Sequence, residues 1–148
     1  MLNFRKKCKF YDEEKLGEDM AQVKIYGRKK VLENSKKMLS DTIHDVVTKV
    51  LKFPREKKYH RFIALDDDDM IFPDEKSGSY TIIEIMMMSG RSQETKKLLI
   101  QTLFQEIEKE VGIAMNDIEI CIVESPAYNW GFRGKCGDEI SLNYKVDV

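Results

Sequence analysis

The sequence predicts an α+β fold in which two βαβ repeats build one four-stranded mixed sheet with two helices on one face. Three observations support this prediction. The order strand, helix, strand occurs twice, over about 21–65 and 80–124. The two copies align without gaps at an offset of about sixty residues, and each predicted helix carries one apolar stripe. Right-handed crossovers would place both helices on the same side of the sheet.

The first repeat begins with a short strand over 21–26, where apolar and polar residues alternate. A helix is predicted over 30–51, because lysines and acids lie opposite an apolar stripe. The stripe consists of Met38, Leu39, Ile43, Val46, Val47 and Val50. Phe53-Pro54 would stop this helix, and a second strand is predicted over 59–65.

The second repeat contains a nearly continuous apolar stretch, residues 80–88, which predicts a central strand covered on both faces. Ser92 is a typical N-cap, and the helix that it would begin ends before Gly112. The apolar stripe of this helix consists of Leu98, Leu99, Thr102, Leu103 and Ile107. Another strand is predicted over 118–123. The connection between the repeats has room for a short strand piece at 70–72.

The chain divides into an extension and one domain. Residues 1–19 are densely charged and weakly patterned, and two interpretations remain open: a translated leader before a natural start at Met20, or a genuine N-terminal arm. Residues 20–148 would form the domain. Its last segment, 125–148, predicts a loop followed by a hairpin or edge strand near Ile140–Tyr144.

The composition is ordinary for a water-soluble domain and gives no support to partnership with nucleic acid or a membrane. Hydrophobic residues make up 42% of the chain, charged residues 34%, and the formal net charge is −1. The three cysteines, Cys8, Cys121 and Cys136, have no CxxC spacing. We therefore expect no disulfide framework and no metal site, a cytoplasmic location, and Cys121 as a small core residue.

Arg91 is the first candidate for a binding residue. It lies in the sequence SGRS, where the end of a predicted strand meets the N-terminus of a predicted helix. Free backbone N–H groups and a guanidinium pointing at one spot favour a carboxylate ligand. The alternative is an arginine that only faces solvent near a helix end.

Four motifs, in this order and spacing, resemble the tautomerase superfamily. They are AQVKIYG at 21–27, FPREKKYHR at 53–61, SGRSQETKK at 89–97 and VESPAYNWGF at 123–132. The chain is most similar to the longer, fused-repeat members, and within them to the malonate semialdehyde decarboxylases. The resemblance implies a homotrimer that needs no cofactor or metal. It also implies catalysis by an N-terminal proline, exposed by removal of the initiator methionine, beside carboxylate-binding arginines.

The resemblance transfers only part of the catalytic machinery to this sequence. The position of the proline falls on Ala21, and that of the catalytic aspartate falls on Lys57. Of the two arginines of the decarboxylases, one matches Arg91 and the other falls on Ser89. The aromatic wall of the pocket is matched by Trp130 and Phe132.

The chain start decides what Ala21 can do. If the chain starts at Met20, cleavage would expose a primary amine at Ala21 with a reference pKa of about 7.7–8.0. This amine could act as a base or form a Schiff base, while Arg91 and Lys57 hold a substrate carboxylate. If the chain starts at Met1, Ala21 is an internal amide and takes neither role.

Each candidate also has a purely structural interpretation. Lys57 can be a solvated charge rather than a site residue. Trp130 and Phe132 can line a pocket or pack at a subunit interface, and Arg133 is a weaker anion-site candidate.

Metal binding is not favoured by any group in the sequence. His44, on the first helix beside Ile43, is expected at the boundary between the buried and the exposed side, and His60 is expected next to a strand start. Neither has metal ligands at suitable spacing. The acidic run Asp66–Asp69 lacks the pattern of a calcium loop and is expected to be a solvated loop.

Two functional hypotheses follow for the chain. The first is an enzyme, an isomerase (tautomerase) or a lyase (decarboxylase), acting on a small 2-oxo or 3-oxo carboxylic acid. The second is a non-catalytic trimeric descendant that binds a small carboxylate or is structural, which the missing proline favours. A ferredoxin-like regulatory or nucleic-acid module is weaker, because no basic face with interleaved aromatics is evident.

Overall fold

The computed structural model describes residues 21–140. Its elements are strand β1 (Ala21–Arg28), helix α1 (Lys29–Leu51), strand β2 (His60–Leu65), strand β3 (Thr81–Met88), helix α2 (Gln93–Val111), strand β4 (Ile118–Ser125) and the two-residue strands β5 (Gly131–Phe132) and β6 (Lys135–Cys136). The predicted extension over 1–19, the alternative start at Met20 and most of the predicted strand near 140–144 lie outside the described residues.

Four strands form one mixed sheet in the order β2-β1-β3-β4. β1 pairs with β2 in parallel, β3 pairs with β4 in parallel, and the two halves meet where β1 and β3 run antiparallel. Each half is therefore a βαβ unit, and the two units are related by an approximate twofold axis between β1 and β3. This architecture confirms the predicted fold class.

The two helices bury equivalent positions of the repeat. The pairs Leu39 and Leu99, Ile43 and Leu103, and Val47 and Ile107 are all buried in the core. The predicted stripes are wrong at one equivalent pair, since Met38 and Leu98 are 54% and 52% exposed. Each lies one residue, about 100° of helix rotation, before the buried leucine, and so falls at the side of the stripe. Neither helix of residues 21–140 combines the length and apolarity needed to cross a membrane.

The sheet has one covered face and one open face. Along β3, Thr81, Ile83, Ile85 and Met87 are buried, whereas the alternating residues Ile82, Glu84 and Met86 are only partly buried. The prediction that residues 80–88 are covered on both faces is therefore wrong for the single chain. Cys121, next to Glu84 on the open face, is exposed, so its expected core position is also wrong. Both errors arise because the helices of residues 21–140 cover only one face of the sheet.

Local sequence signals set the ends of α2. The Ser92 hydroxyl accepts a hydrogen bond from the Thr95 N–H at 3.1 Å, and Gly112 ends the helix with φ +81°. Both are the predicted caps, since a side-chain oxygen satisfies a free N–H and glycine tolerates the left-handed conformation.

The connection between the repeats contains no strand piece at 70–72. It instead forms a 3-10 turn at Asp67–Asp69, and Phe72 lies between the Arg28 guanidinium, 4.7 Å away, and the Tyr80 ring, 5.0 Å away. Ser77 donates to the buried Asp117 carboxylate through its backbone N–H at 2.7 Å and through its hydroxyl. The connection therefore packs as a defined cover over one edge of the sheet.

The segment after β4 contains a short hairpin. Strands β5 and β6 pair on either side of a two-residue turn, Arg133-Gly134. Both turn residues have positive φ, +55° and +72°, as expected for the hairpin turn that matches strand twist.

Candidate functional site

The fold gathers every predicted site residue at one edge of the sheet. Because β1 and β3 are antiparallel, the starts of β1 and β2 and the ends of β3 and β4 lie together at this edge, which we call the Ala21 edge. Ala21 opens β1, and the other residues belong to segments that enter or leave the sheet here. These residues are Lys57 before β2, Arg91 after β3, and Trp130 and Phe132 after β4.

Arg91 is buried where β3 turns into α2. Gly90 makes the turn with φ +145°, a conformation that residues with a Cβ rarely adopt. The Arg91 side chain is 4% exposed, and its Nη1 donates to the Met88 carbonyl at 3.4 Å. This position differs from that of a solvent-facing arginine at a helix end. It places a fixed positive charge beside the positive N-terminus of α2.

Ala21 and Lys57 are also buried. Ala21 is 3% exposed, pairs with Met87 across the β1–β3 ladder and belongs to the core. Lys57 is 5% exposed, so the interpretation of Lys57 as a solvated charge is wrong. Sequence patterning missed this burial, because the run PREKK is uniformly polar and carries no periodic signal.

The aromatic segment is tied to the strand end next to Arg91. The Ser125 carbonyl accepts two hydrogen bonds, from the Ser89 N–H at 2.9 Å and from the Trp130 indole N–H at 3.2 Å. Phe132 is buried, and the Trp130 carbonyl accepts from the Gly137 N–H at 2.7 Å. One carbonyl thus links the turn before Arg91 to the segment that carries both aromatic residues.

Gly137 holds this segment by close approach, and we expect Gly137→Ala to disturb it. An added Cβ would lie 2.5 Å from the Ala127 carbonyl oxygen, a backbone atom that cannot move aside. We expect a loss of about 1–3 kcal/mol in the free energy of unfolding, the usual cost of overpacking. Trp130 is the only tryptophan in the sequence, so a shift of its emission would report the change.

Gly131→Ala is the matched control for this substitution. A Cβ at Gly131 would meet nothing within 4 Å, and its φ is not in the left-handed region. Equal denaturation midpoints and equal Trp130 emission in the two variants would contradict the assigned role of Gly137.

The hairpin and the 3-10 turn after it carry two further groups. Arg133 is exposed at the hairpin turn. Among residues 21–140, Cys136, Asp138 and Glu139 bring potential metal-ligand atoms within 4.8 Å of one another. All three are exposed, and exposed acidic groups commonly gather without binding an ion.

The loop that carries Lys57 is held by side chains of α1. The His44 Nε2 donates to the Arg55 carbonyl at 2.5 Å, and ion pairs join Arg55 to Asp45 and Lys58 to Asp41, each at 2.7 Å. His44 is buried, so its expected boundary position is wrong. The sequence signal that could have indicated this burial is the position of His44 directly after the core residue Ile43, at the border of the apolar stripe of α1.

His60 lies beside this loop and packs against α1. Its Nδ1 is 2.8 Å from the Ser40 hydroxyl, and its ring meets the His44 ring edge-on at 5.9 Å. Burial, reinforced by the nearby His44 and Lys58, lowers the pKa of His60 to about 4, against a small opposing effect of Asp41. The folded protein therefore holds His60 neutral over a range in which the unfolded chain protonates it.

We expect stability to fall as the pH is lowered from about 6.5 to about 4. In this window the unfolded state binds a proton that the folded state excludes, which corresponds to a loss of about 3 kcal/mol from His60. His60→Gln should remove that part of the loss, as measured by urea unfolding at pH 7 and pH 4.5. The Asp41 carboxyl, whose pKa is lowered to about 2 by hydrogen bonds from Lys37 and Lys58, contributes little between pH 7 and pH 4.5, because it stays ionised in the folded protein and mostly ionised in the unfolded chain. An identical pH dependence in both proteins would contradict this expectation.

The family model described as "Tautomerase enzyme" matches residues 57–133, just over half of the chain. The chain therefore belongs to this tautomerase family. The match includes Lys57, Arg91, Trp130 and Phe132, and begins after Ala21.

Individual relatives agree with the family. The chain is 28% identical over 104 residues to the probable tautomerase YrdN of Bacillus subtilis (strain 168), a match covering 68% of this chain and 81% of that protein. The FG41 malonate semialdehyde decarboxylase inhibited by 3-bromopropiolate is 25% identical in sequence, with a TM-score of 0.68 over 75% of this chain and 88% of that chain. The R7 fused 4-OT wild type asymmetric trimer, 18% identical with a TM-score of 0.70 over 80% and 97% of the two chains, supports the fold alone.

Proposed function

We propose that this protein acts on a small oxo-carboxylic acid, by keto–enol proton transfer or decarboxylation, with Arg91 holding the substrate carboxylate. The observation that carries the proposal is the burial of Arg91 at the edge where β1 begins, beside the aromatic segment. A guanidinium binds a carboxylate through two parallel hydrogen bonds and so fixes the orientation of the substrate.

The neighbouring residues suggest roles around that carboxylate. Trp130 and Phe132 would form an apolar wall, which excludes water and strengthens the charge interaction at Arg91. Lys57 would be a second cation, with the opposite charge to the aspartate of the decarboxylases. The base would be the α-amine of Ala21, in a chain that has been processed to begin there.

The alternative is a non-catalytic protein that binds a small carboxylate. Two features favour it: Ala21 cannot supply the secondary amine of the family, and Lys57 cannot supply an acidic group. Arg91 and the aromatic wall suit this alternative equally well, so ligand binding is common to both proposals.

A homotrimer is the assembly that we propose. The open face of the sheet carries half-buried apolar residues, among them Ile82 and Met86, and a further copy is the simplest cover for them. A structurally similar fused 4-OT is described as a trimer. Light scattering on the purified protein should give three times the 17.3 kDa chain mass, and a monomeric mass would refute the trimer.

Two measurements on one sample test the function. Tautomerisation of phenylpyruvate and 2-hydroxymuconate is followed by absorbance, and binding of pyruvate or malonate is followed by Trp130 fluorescence. Turnover above the buffer rate supports the enzyme, and saturable binding without turnover supports the alternative. Neither turnover nor binding would refute a carboxylate site for these compounds.

A further inference from the structure

Lys57 lies in loop 52–59, between α1 and β2, where no regular strand or helix holds the backbone. Its position therefore depends on contacts that this loop makes with α1 and β1. The Lys57 N–H donates to the Pro54 carbonyl at 3.1 Å, so residues 54–57 form one hydrogen-bonded turn. On the sheet side, the Tyr59 carbonyl accepts from the Val23 N–H at 2.9 Å, which anchors the end of the loop to β1.

Three side-chain contacts of unequal strength join α1 to Arg55 and Lys58 of the loop. The ion pair of Arg55 and Asp45 is 69% and 60% exposed, and that of Lys58 and Asp41 is 35% and 47% exposed. Exposed pairs of this kind contribute little, because water and salt screen them. The hydrogen bond from His44 to the Arg55 carbonyl is part-buried, and its donor, His44, is only 5% exposed. Leaving this buried donor without an acceptor would be costly.

His44 also has a defined chemical state at this contact. The carbonyl of Arg55 can only accept, so the proton must be on Nε2 of His44. The edge-on contact with the His60 ring restricts rotation of the His44 imidazole. The imidazole is thus a fixed N–H donor aimed at the turn two residues before Lys57.

We propose that His44 is a positioning residue for Lys57. By fixing the 54–57 turn from α1, it keeps the Lys57 ammonium at the Ala21 edge, where Lys57 and Arg91 together hold the substrate carboxylate. The proposal rests on the proposed function of this edge and assigns it a second anion-binding group. His44 itself would not touch the substrate.

The test compares His44→Leu, which removes the donor, with His44→Gln, which keeps an N–H at a similar reach. The first readout is hydrogen exchange at the Lys57 amide, which needs no ligand. We expect exchange to accelerate about tenfold in His44→Leu, as loss of a part-buried hydrogen bond of about 1–1.5 kcal/mol implies. Exchange should stay near the wild-type rate in His44→Gln, with the β3 amides unchanged in both variants.

The second readout is pyruvate affinity from Trp130 fluorescence. His44→Leu should weaken binding about tenfold, as much as Lys57→Met does, and the double variant should add no further loss. Unchanged exchange at Lys57 in His44→Leu would overturn the positioning role. Faster exchange in His44→Leu with unchanged affinity would overturn the proposal that His44 positions Lys57 for binding, and unchanged affinity in Lys57→Met would overturn the role of Lys57 itself. If the wild-type protein binds no pyruvate, the proposed function fails for this ligand, and the exchange data still decide whether His44 fixes Lys57.

Discussion

Replacing Ala21 by proline, in a chain encoded from Met20, is expected to raise the rate of tautomerisation by about 10²- to 10⁴-fold, the usual contribution of a well-placed general acid–base group. Removal of the initiator methionine would leave a secondary amine at the start of β1. Residue 21 is 3% exposed, and burial lowers the pKa of an amine toward neutrality. In the proposed function, Arg91 at the same edge would lower it further and would hold the substrate carboxylate.

The strand tolerates this substitution, because proline is accepted at the first residue of a strand. The matched control is Ala21→Pro in the full 148-residue chain, where residue 21 is an internal amide and no gain is expected. Intact mass identifies the first residue of each sample, and initial rates with phenylpyruvate give the comparison. A gain in both chains, or in neither, would show that an amine at residue 21 does not act as the base.

The second large effect is expected from Arg91→Ala, which should weaken binding of a small carboxylate by about 10- to 150-fold, the value of a hydrogen bond to a charged group. Arg91→Lys should lose part of this affinity, because the ammonium keeps the charge without the two-pronged guanidinium. Titration of Trp130 fluorescence with pyruvate measures the dissociation constant for each protein.

Lys97→Ala is the control for charge. Lys97 lies on α2, close in sequence to Arg91, but is exposed, so its removal should leave affinity within about twofold at moderate salt. Because Arg91 is buried, its removal can also destabilise the fold, and thermal unfolding of each variant detects such a loss. If Arg91→Ala is unstable, Arg91→Lys serves as the test of the site. Equal losses of affinity in Lys97→Ala and the Arg91 variants would show that Arg91 acts only through its general positive charge, and would contradict a specific carboxylate contact.

The sequence was informative wherever local chemistry sets the structure. Ser92 and Gly112 marked the ends of α2, because a capping hydroxyl and a left-handed glycine act within a few residues. The equivalence of Leu39 and Leu99 was visible, because both repeats face the same helix–sheet interface. These signals were sufficient for the fold class and for the position of Arg91 at a strand–helix junction.

Features that depend on distant contacts were not visible in the sequence. Lys57 is buried although its neighbours are polar, and its loop is held by His44, thirteen residues earlier along the chain. Cys121 lies in an apolar run, yet periodicity alone cannot tell which side of a strand a helix will cover. The meeting of four segments at the Ala21 edge follows from the antiparallel pairing of β1 and β3, which has no local signal.

The duplicated fold places the starts of the equivalent strands β1 and β3 at opposite edges of the sheet, and the chain enters these two edges differently. Thr81 opens β3 as Ala21 opens β1, but the covalent link between the repeats denies that position any chain terminus. The connection packs against that edge. Phe72 lies between Arg28 and Tyr80, and Ser77 donates a hydrogen bond to Asp117. The edge at Thr81 is thus closed by the connection between the repeats, whereas the Ala21 edge holds the two buried cations, Lys57 and Arg91.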